Sequence, residues 1–255
     1  MILNMEQAAG IGYKSGCQIT RRISEQWAAE NLYCVACNSN SISPSPANTK
    51  AIDFHCPHCE AVYQLKAGRQ WSERRVPDAG HAAMMAAIQS DRVPNLLVLQ
   101  YTDQWQVQNL LLIPSFLFSA SAIEKLKPLA MTARRAGWVG CNILLSAMSD
   151  RGKIRIVNSG VTTAPQTVRS EYRRLRPLTK IAPKMRGWTL DVLRVVQSLN
   201  KLEFGIADVY AYEQRLQSLH PDNRNVRPKI RQQLQVLRDL GMLKFLARGR
   251  YRLSL

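Results

Sequence analysis

Cys34-Val-Ala-Cys37 and Cys56-Pro-His-Cys59 are two CxxC pairs separated by 18 residues, and they organise the first half of the sequence. Each pair can direct two sulfurs at one ion, and the second pair completes the tetrahedron that zinc prefers. Since the chain would supply all four ligands, we expect a structural zinc ion. The expected ligands are Cys34, Cys37, Cys56 and Cys59. Two alternatives remain open, namely free or redox-active thiols and the replacement of a cysteine ligand by His55 or His58.

Three polar residues flank the second CxxC pair. Asp53 lies three residues before Cys56, and Gln64 and Lys66 lie five and seven residues after Cys59. If a metal pins this knuckle, the flanking segments run together as a hairpin. Residues i and i+2 of one strand face the same side. The pattern is then Asp-x10-Gln-x-Lys, the layout of a PD-(D/E)xK nuclease with Gln in place of the middle acid.

This set of residues suits the metal-assisted hydrolysis of a phosphodiester. Magnesium prefers oxygen ligands, and we expect them from Asp53, Gln64 and the backbone carbonyl of Leu65. Such a metal polarises the phosphate and acidifies a water, while Lys66 assists the attacking water or stabilises the transition-state charge. The alternative is that a surface Asp and a Gln-Leu-Lys triplet occur together by chance.

The chain is strongly basic. Its 255 residues include 35 Lys+Arg and 18 Asp+Glu, which gives a net charge of +17 and a pI near 10.1. Residues 184–255 contain 14 basic and 6 acidic residues, a net charge of +8, and residues 1–183 carry +9. Because both parts share the excess, we expect one long acidic ligand such as DNA or RNA. The alternative is a basic protein that binds no nucleic acid.

Composition argues against several other classes of protein. Apolar residues make up 46% of the chain, which is too many for a disordered basic tail, and six cysteines are too few for a disulfide scaffold. No apolar run approaches the roughly 20 residues that span a bilayer. Residues 1–6 lack the pattern of a signal peptide. We therefore expect a cytoplasmic monomer with no membrane partner. Cys17 and Cys141 match no metal-binding spacing and should be small buried apolar residues.

Periodicity predicts mixed helices and strands followed by a helical segment. The predicted helices of the first part are 15–33, 79–89, 120–126 and 165–175, and its strands are 51–55, 61–66, 95–101, 106–113, 142–145 and 153–157. A linker at 177–186 separates the two domains, which we place at 1–182 and 183–255. The second domain is predicted to contain helices 189–199, 206–219 and 227–240 and strands 242–246 and 250–253. This order is typical of a winged helix-turn-helix module.

Longer runs of sequence resemble a known family. They comprise Cys34 to Lys66 with its motif residues, PLA at 128–130, TARRAGW at 132–138, GCNI at 140–143 and IRQQLQVLRD at 230–239. Together they resemble the DpnI-like, methyl-directed type II restriction endonucleases over nearly the whole chain. The resemblance implies an α/β fold with a PD-(D/E)xK restriction-endonuclease-like domain, an inserted four-cysteine zinc site and a C-terminal winged-helix domain.

The same resemblance implies a Mg-dependent, site-specific deoxyribonuclease. Such an enzyme cuts double-stranded DNA at GATC when the adenine carries an N6-methyl group. The family has Glu at the position of Gln64, which lowers the charge of the expected metal site by one. Cleavage is the expectation. One alternative is a non-cleaving reader or regulator of adenine-methylated DNA, and another is a zinc-ribbon transcription factor without nuclease ancestry.

Recognition of the methyl group is expected in two regions. An N6-methyl group adds apolar surface to the major groove. We expect Trp138 to pack against it while Arg134 and Arg135 hold phosphates or guanine edges. The alternative is a Trp138 that is buried in the core.

In the second domain we expect helix 227–240 to read bases. Gln232 and Gln235 lie off its inward apolar stripe, and Gln pairs naturally with adenine. The basic residues expected to contact phosphate or guanine are Arg227, Lys229, Arg231, Arg248, Arg250 and Arg252. The alternative for these charges is a solvated surface without a ligand.

Overall fold

Helices and strands alternate along the chain in a computed structural model that describes residues 1–46, 49–70 and 72–254. The described strands are β1 (Ser43–Pro44), β2 (Phe54–His55), β3 (Val62–Gly68), β4 (Val76–Gly80), β5 (Asn95–Tyr101), β6 (Val107–Ile113), β7 (Ile123–Lys125), β8 (Gly140–Ile143), β9 (Ile154–Asn158), β10 (Val161–Thr162), β11 (Glu203–Gly205), β12 (Leu243–Ala247) and β13 (Arg250–Leu253). The described α-helices are α1 (Gly16–Asn31), α2 (His81–Gln89), α3 (Pro165–Leu175), α4 (Pro183–Ser198), α5 (Ile206–Tyr210), α6 (Glu213–Leu219) and α7 (Val226–Asp239).

The chain divides into two units, and the first consists of residues 1–73, 93–115 and 151–176. Its sheet has the strand order β1-β2-β3-β5-β6-β9-β10, in which β3 and β5 are parallel and the other neighbours antiparallel. Helix α1 packs against β3 and α3 against β9. Four successive residues of β5, from Leu96 to Leu99, are all buried. Since successive side chains point to opposite faces, this central strand is covered on both.

The second unit consists of residues 74–92, 116–150 and 177–255. One part of it is the small antiparallel sheet β4-β8-β7 with helix α2. The other runs α4, β11, α5, α6, α7, β12 and β13, with the sheet order β11-β13-β12. A helix, a strand, further helices and a final hairpin are the order of a winged helix-turn-helix. The predicted α/β class and the C-terminal helix-turn-helix are therefore confirmed. The boundary between residues 182 and 183 stays a prediction.

Buried polar pairs hold the helices of the second unit in register. Thr189 of α4 donates its hydroxyl to Oε1 of Gln233 on α7 at 2.7 Å, and both residues are fully buried. Asp191, also on α4, accepts a hydrogen bond from Ser121 at 3.0 Å and lies 2.8 Å from Nε2 of His220. Each of these pairs satisfies polar atoms that water cannot reach.

Two predicted helices differ from the structure. Segment 120–126 forms one 3₁₀ turn (Ala120–Ala122) and then strand β7, in which Ile123 pairs with Ile143 of β8. The pairing of a β-branched residue has overridden the short helical pattern. Segment 206–219 is two helices rather than one, because Tyr212 leaves the helical conformation with φ −99° and ψ 12°.

The predicted linker at 177–186 is also wrong in part. Residues Arg176–Lys180 form a 3₁₀ turn, and α4 begins at Pro183, a residue that suits the first turn of a helix. Arg186 is 3% exposed and forms a bidentate ion pair with Asp91. The two prolines therefore mark a helix start rather than an extended connection.

Smaller differences concern one strand and one cysteine. The strand expected at 51–55 is limited to Phe54–His55. Cys141 is buried as expected, but Cys17 lies exposed in the first turn of α1. None of the described helices is both long and apolar enough to cross a lipid bilayer.

The Thr189–Gln233 pair makes a stability prediction. Thr189→Val keeps the side-chain shape but leaves Oε1 of a fully buried amide without its donor, so we expect a loss of about 1–3 kcal/mol in unfolding free energy. Urea denaturation followed by circular dichroism measures it. Thr132→Val, at an exposed position, is the matched control and should change stability by less than about 0.5 kcal/mol. Equal midpoints for the two variants would contradict the assignment.

Candidate metal centre, active site and DNA-binding surfaces

The four cysteines of the two CxxC pairs converge. Cys34 and Cys37 follow α1, and Cys56 and Cys59 lie in the turn between β2 and β3. All four Sγ atoms lie within 4.8 Å of one another. The Sγ atoms of Cys34 and Cys59 are 3.5 Å apart and those of Cys37 and Cys56 are 3.6 Å apart. A tetrahedral zinc ion with Zn–S bonds of about 2.3 Å places its sulfurs about 3.8 Å apart, so the cluster fits one zinc ion.

The alternatives for the thiols can be compared with this geometry. The cluster found among the described residues contains the four cysteines and neither His55 nor His58. A redox pair requires only two sulfurs at close range, whereas here two pairs share one centre. The arrangement therefore favours a four-thiolate metal site.

The local environment favours a thiolate at Cys56. Burial acts to raise the pKa of Cys56, but hydrogen bonds from the backbone N–H groups of His58 and Cys59 lower it to about 6. Burial prevails at Cys34 and Cys59, since it raises the pKa of the Cys34 thiol and raises the pKa of Cys59 to about 12. A cation at the centre would stabilise all four thiolates together.

Tyr63 of β3 contacts the cysteine cluster through its hydroxyl. Its hydroxyl lies 3.2 Å from Sγ of Cys34 and accepts a hydrogen bond from the N–H of Val35 at 3.2 Å. Because the phenolic oxygen already serves as the acceptor for Val35, its proton can be donated to the sulfur. Burial and the neighbouring sulfur raise the pKa of Tyr63, so the hydroxyl stays a donor.

Arg169 of α3 clamps the loop that carries the first CxxC pair. Its guanidinium donates to the carbonyl of Cys34 at 3.0 Å and to that of Ser39 at 2.7 Å. It also lies 5.1 Å from the centre of the Tyr33 ring. This places a permanent positive charge beside a thiolate-rich loop. Neither Tyr63 nor Arg169 was expected from the sequence, because no local spacing connects them to the cysteines.

Asp53 is held against strand β3. Phe54 pairs with Tyr63 at the end of the β2–β3 register, and Asp53 is the residue before Phe54. The N–H of Asp53 donates to the carbonyl of Tyr63 at 2.8 Å. In return, the N–H of Leu65 donates to Oδ2 of Asp53 at 2.7 Å. The carboxylate therefore lies beside the Gln-Leu-Lys segment.

Alternation along β3 defines the face of the candidate active site. Gln64 and Lys66 are two residues apart and lie on one face of β3, whereas Tyr63 is on the other. The Asp53 carboxylate is bound at Leu65, the residue between Gln64 and Lys66. Gln64 is 9% exposed, and Asp53 and Lys66 are half-buried. The assignment of Asp53, Gln64 and Lys66 to a catalytic site stays a prediction.

Helix α1 adds a charged pair near this face. Arg21 donates to Glu25 at 2.7 Å. This hydrogen bond raises the pKa of Arg21, and the carboxylate of Asp53 adds to the effect. Arg21 is therefore a cation within electrostatic reach of Asp53.

Trp138 lies in the loop that connects β7 and β8. It is half-buried rather than a core residue, and the guanidinium of Arg135 lies 4.6 Å from the centre of its ring. Arg134 and Arg135 are both exposed. Backbone bonds from Leu129 N–H to the Trp138 carbonyl (2.9 Å) and from Gly137 N–H to the Leu129 carbonyl (3.0 Å) close the base of this loop.

Helix α7 buries the predicted stripe. Ile230, Leu234 and Leu237 are all fully buried, and Gln232 and Gln235 are exposed on the remaining surface. Part of its basic surface is already paired within the unit. Arg227 forms an ion pair with Glu213, Arg231 donates to the Tyr210 hydroxyl, and Lys229 donates to Gln232.

The turn between β12 and β13 forms the wing. Gly249 adopts a positive φ of 71°, which favours glycine, and Arg248 and Arg250 beside it are exposed. Arg252, expected to join them, donates to Glu203, its cross-strand partner on β11, at 3.0 Å. Arg250 lies 3.8 Å from the same carboxylate, so both arginines are paired within the unit.

Two family models match the chain. The model described as the DpnI Dam-replacing family matches residues 1–181. The model described as the Dam-replacing HTH domain of DpnI matches residues 184–253. Together the two matches cover nearly all of the sequence.

The clamp on the metal loop yields a prediction. Arg169→Met removes two hydrogen bonds to the loop of Cys34, so we expect zinc affinity to fall about 10- to 100-fold, the usual effect of losing a partner behind a ligand. Competition with a chromophoric chelator measures the affinity. Arg174→Met, an exposed change on the same helix, should bind zinc as the unmodified protein does. An Arg169 variant that retains zinc equally well would argue against the clamp.

Proposed function

Because the chain belongs to the Dam-replacing family of DpnI, we propose that it is a type II endonuclease that hydrolyses double-stranded DNA at sites containing N6-methyladenine, with GATC as the site. The family implies a methyl-directed restriction endonuclease with a DNA-binding C-terminal domain. The observation that carries cleavage is the 2.7 Å hydrogen bond from Leu65 N–H to Asp53. It holds a carboxylate beside the segment of β3 that carries Gln64 and Lys66.

The oxygens on and beside this segment fit a divalent cation of the magnesium type. We assign to it Oδ1 of Asp53, the amide oxygen of Gln64 and the carbonyl of Leu65, all of them hard ligands. When bound, Mg²⁺ would polarise the scissile phosphate and lower the pKa of a coordinated water. Asp53 is oriented for this by the Leu65 N–H on its other oxygen. Lys66 orients the attacking water and stabilises negative charge on the oxygens of the scissile phosphate.

The four-thiolate cluster is assigned a structural zinc ion. Its four ligands would all come from the chain, which leaves no open position for a substrate. The second CxxC pair lies in the turn that connects β2 to β3, so zinc would stabilise the hairpin that carries Asp53, Gln64 and Lys66. Its role in cleavage is therefore to position these residues.

Methyl recognition is assigned to two surfaces of the second unit. Trp138, with Arg134 and Arg135, forms the first surface. Exposed residues of α7 and the wing form the second. Burial of one methyl group contributes about 0.8 kcal/mol, which is roughly a fourfold preference. Two separate readings multiply that preference. Arg227 must exchange Glu213 for a phosphate if it is to contribute.

A non-cleaving reader of methylated DNA is the second candidate. Gln64 favours it, because a neutral amide in place of a carboxylate weakens the hold on a divalent cation. Asp53 and Lys66 oppose it, since a decayed nuclease site has no need for an acid held against the strand beside a lysine. The two candidates differ in whether DNA is cut.

Cleavage is tested with one plasmid prepared with and without N6-methyladenine at GATC. The zinc-loaded protein is incubated with each plasmid in the presence or absence of Mg²⁺. A chelator is avoided because it would also remove zinc. We expect fragments only with methylated DNA and Mg²⁺. Asp53→Asn preserves the hydrogen bond from Leu65 but removes the charge, and it should lower the rate by about 10²-fold or more while binding persists. Methyl-dependent binding without fragments would support the reader instead.

A second prediction concerns the neutral residue of the site. Gln64→Glu adds one negative charge beside the cation, so the Mg²⁺ concentration for half-maximal cleavage should fall about tenfold, on the order of 1.4 kcal/mol. A magnesium titration of the cleavage rate measures it. Gln7→Glu makes the same charge change at an exposed residue of the first unit and should leave the titration unchanged. Equal titrations for both variants would remove Gln64 from the metal site.

A further inference from the structure

The indole of Trp138 lies across two glycines that face each other in the sheet β4-β8-β7. Gly80 and Gly140 are register partners in the antiparallel pair of β4 and β8. A Cβ atom at Gly140 would lie 2.8 Å from Cζ3 and 2.9 Å from Cη2 of Trp138. A Cβ atom at Gly80 would lie 3.4 Å from Nε1 and 3.9 Å from Cε2. The benzene end of the indole thus rests on Gly140 and the pyrrole end on Gly80.

Gly80 and Gly140 matter because they lack a Cβ atom beside the indole, and their backbone conformations do not require glycine. Gly80 has φ −66° and ψ 134°, an extended conformation that any residue adopts. Gly140 is also outside the positive-φ region. A side chain at Gly140 would collide with the Trp138 ring, because contacts under 3.0 Å force one of the two groups to move. Glycine in a strand often marks such a close approach.

The backbone of Trp138 is held as well, since its N–H donates to the Arg135 carbonyl at 3.1 Å and its carbonyl accepts from Leu129. The guanidinium of Arg135 lies 4.6 Å from the ring centre, but this residue is exposed and its side chain is long. The two glycines contact the ring through strand backbone, which moves less readily than such a side chain.

We propose that Gly140, together with Gly80, determines methyl specificity by forming a seat without Cβ atoms that holds the indole of Trp138 at the depth from which it packs against an N6-methyl group. This inference rests on the proposed function, in which Trp138 reads the methyl group. A ring already in place loses little freedom on binding, so the small preference for a methyl group is retained. When the methylated base binds, the Arg135 guanidinium leaves the face of the Trp138 ring and contacts a phosphate instead.

The test is Gly140→Ala, made in the full-length chain with Asp53→Asn so that the DNA stays intact. Dissociation constants are measured at one salt concentration for two duplexes that differ only in the N6-methyl group. We expect the ratio of the two constants to fall roughly fourfold, to the value of Trp138→Ala. The double variant Gly140→Ala/Trp138→Ala should fall no further, since the glycine acts through the ring. Gly16→Ala is the matched control, because a Cβ atom there meets nothing within 4 Å.

A second measurement separates a displaced ring from a damaged fold. The indole N–H resonance of Trp138 is identified by its loss in Trp138→Ala. It should shift in Gly140→Ala and in Gly80→Ala, while thermal unfolding stays cooperative. If Gly140→Ala does not fold, Gly80→Ala carries the test, because its tightest contact is the milder 3.4 Å approach to Nε1.

The outcomes distinguish this inference from the proposed function. A Trp138→Ala variant with an unchanged ratio would overturn both the reading role of Trp138 and the proposed role of the two glycines. A reduced ratio for Trp138→Ala with a normal ratio for both glycine variants would overturn the seat alone. A glycine variant that weakens both duplexes equally would also overturn it.

Discussion

The pairing of β2 with β3 is the constraint on which the candidate active site depends. Strand β2 has only two residues, Phe54 and His55, and a hairpin this short is not stable by itself. Two contacts at its ends stabilise this hairpin. At one end the four thiols gather around a common centre, and at the other the Asp53 carboxylate takes the Leu65 N–H. Between these anchors the strands have little freedom to slip, and a slip of one residue would break the hydrogen bond between Leu65 and Asp53.

Neighbouring residues of β3 contribute to two candidate metal sites with different ligand chemistry, on opposite faces of the strand. Tyr63 points towards the sulfurs, and Gln64 and Lys66 lie on the opposite face of the strand. Soft thiolates on one side suit zinc, and oxygen ligands on the other suit magnesium. The two ions would therefore not compete for ligands. Their sites would still be mechanically coupled, because a shift of the strand towards one face moves the side chains on the other.

Local spacing made much of the site predictable. The cysteine pairs, Asp53 and the Gln-Leu-Lys triplet all lie within one short segment whose geometry follows from a metal knuckle and a two-residue strand period. The buried stripe of α7 followed from its helical period in the same way. Contacts between distant segments were not predictable, as Arg169 on the Cys34 loop and the Gly80–Gly140 seat show. Packing also decided the break at Tyr212 and the strand at Ile123, which carry no proline or glycine signal.

The interleaving of the two units has a consequence for protein engineering. The chain passes between them after residues 73, 92, 115, 150 and 176, so the boundary in packing is not one point in the sequence. Asp91 and Ser121 precede the C-terminal segment, yet they bind Arg186 and Asp191 within it. A chimera that grafts a homologue's C-terminal segment onto this chain would keep Asp91 and Ser121 but replace the segment that supplies Arg186 and Asp191. Exchange of the whole second unit between relatives would have to transplant three separate stretches at once.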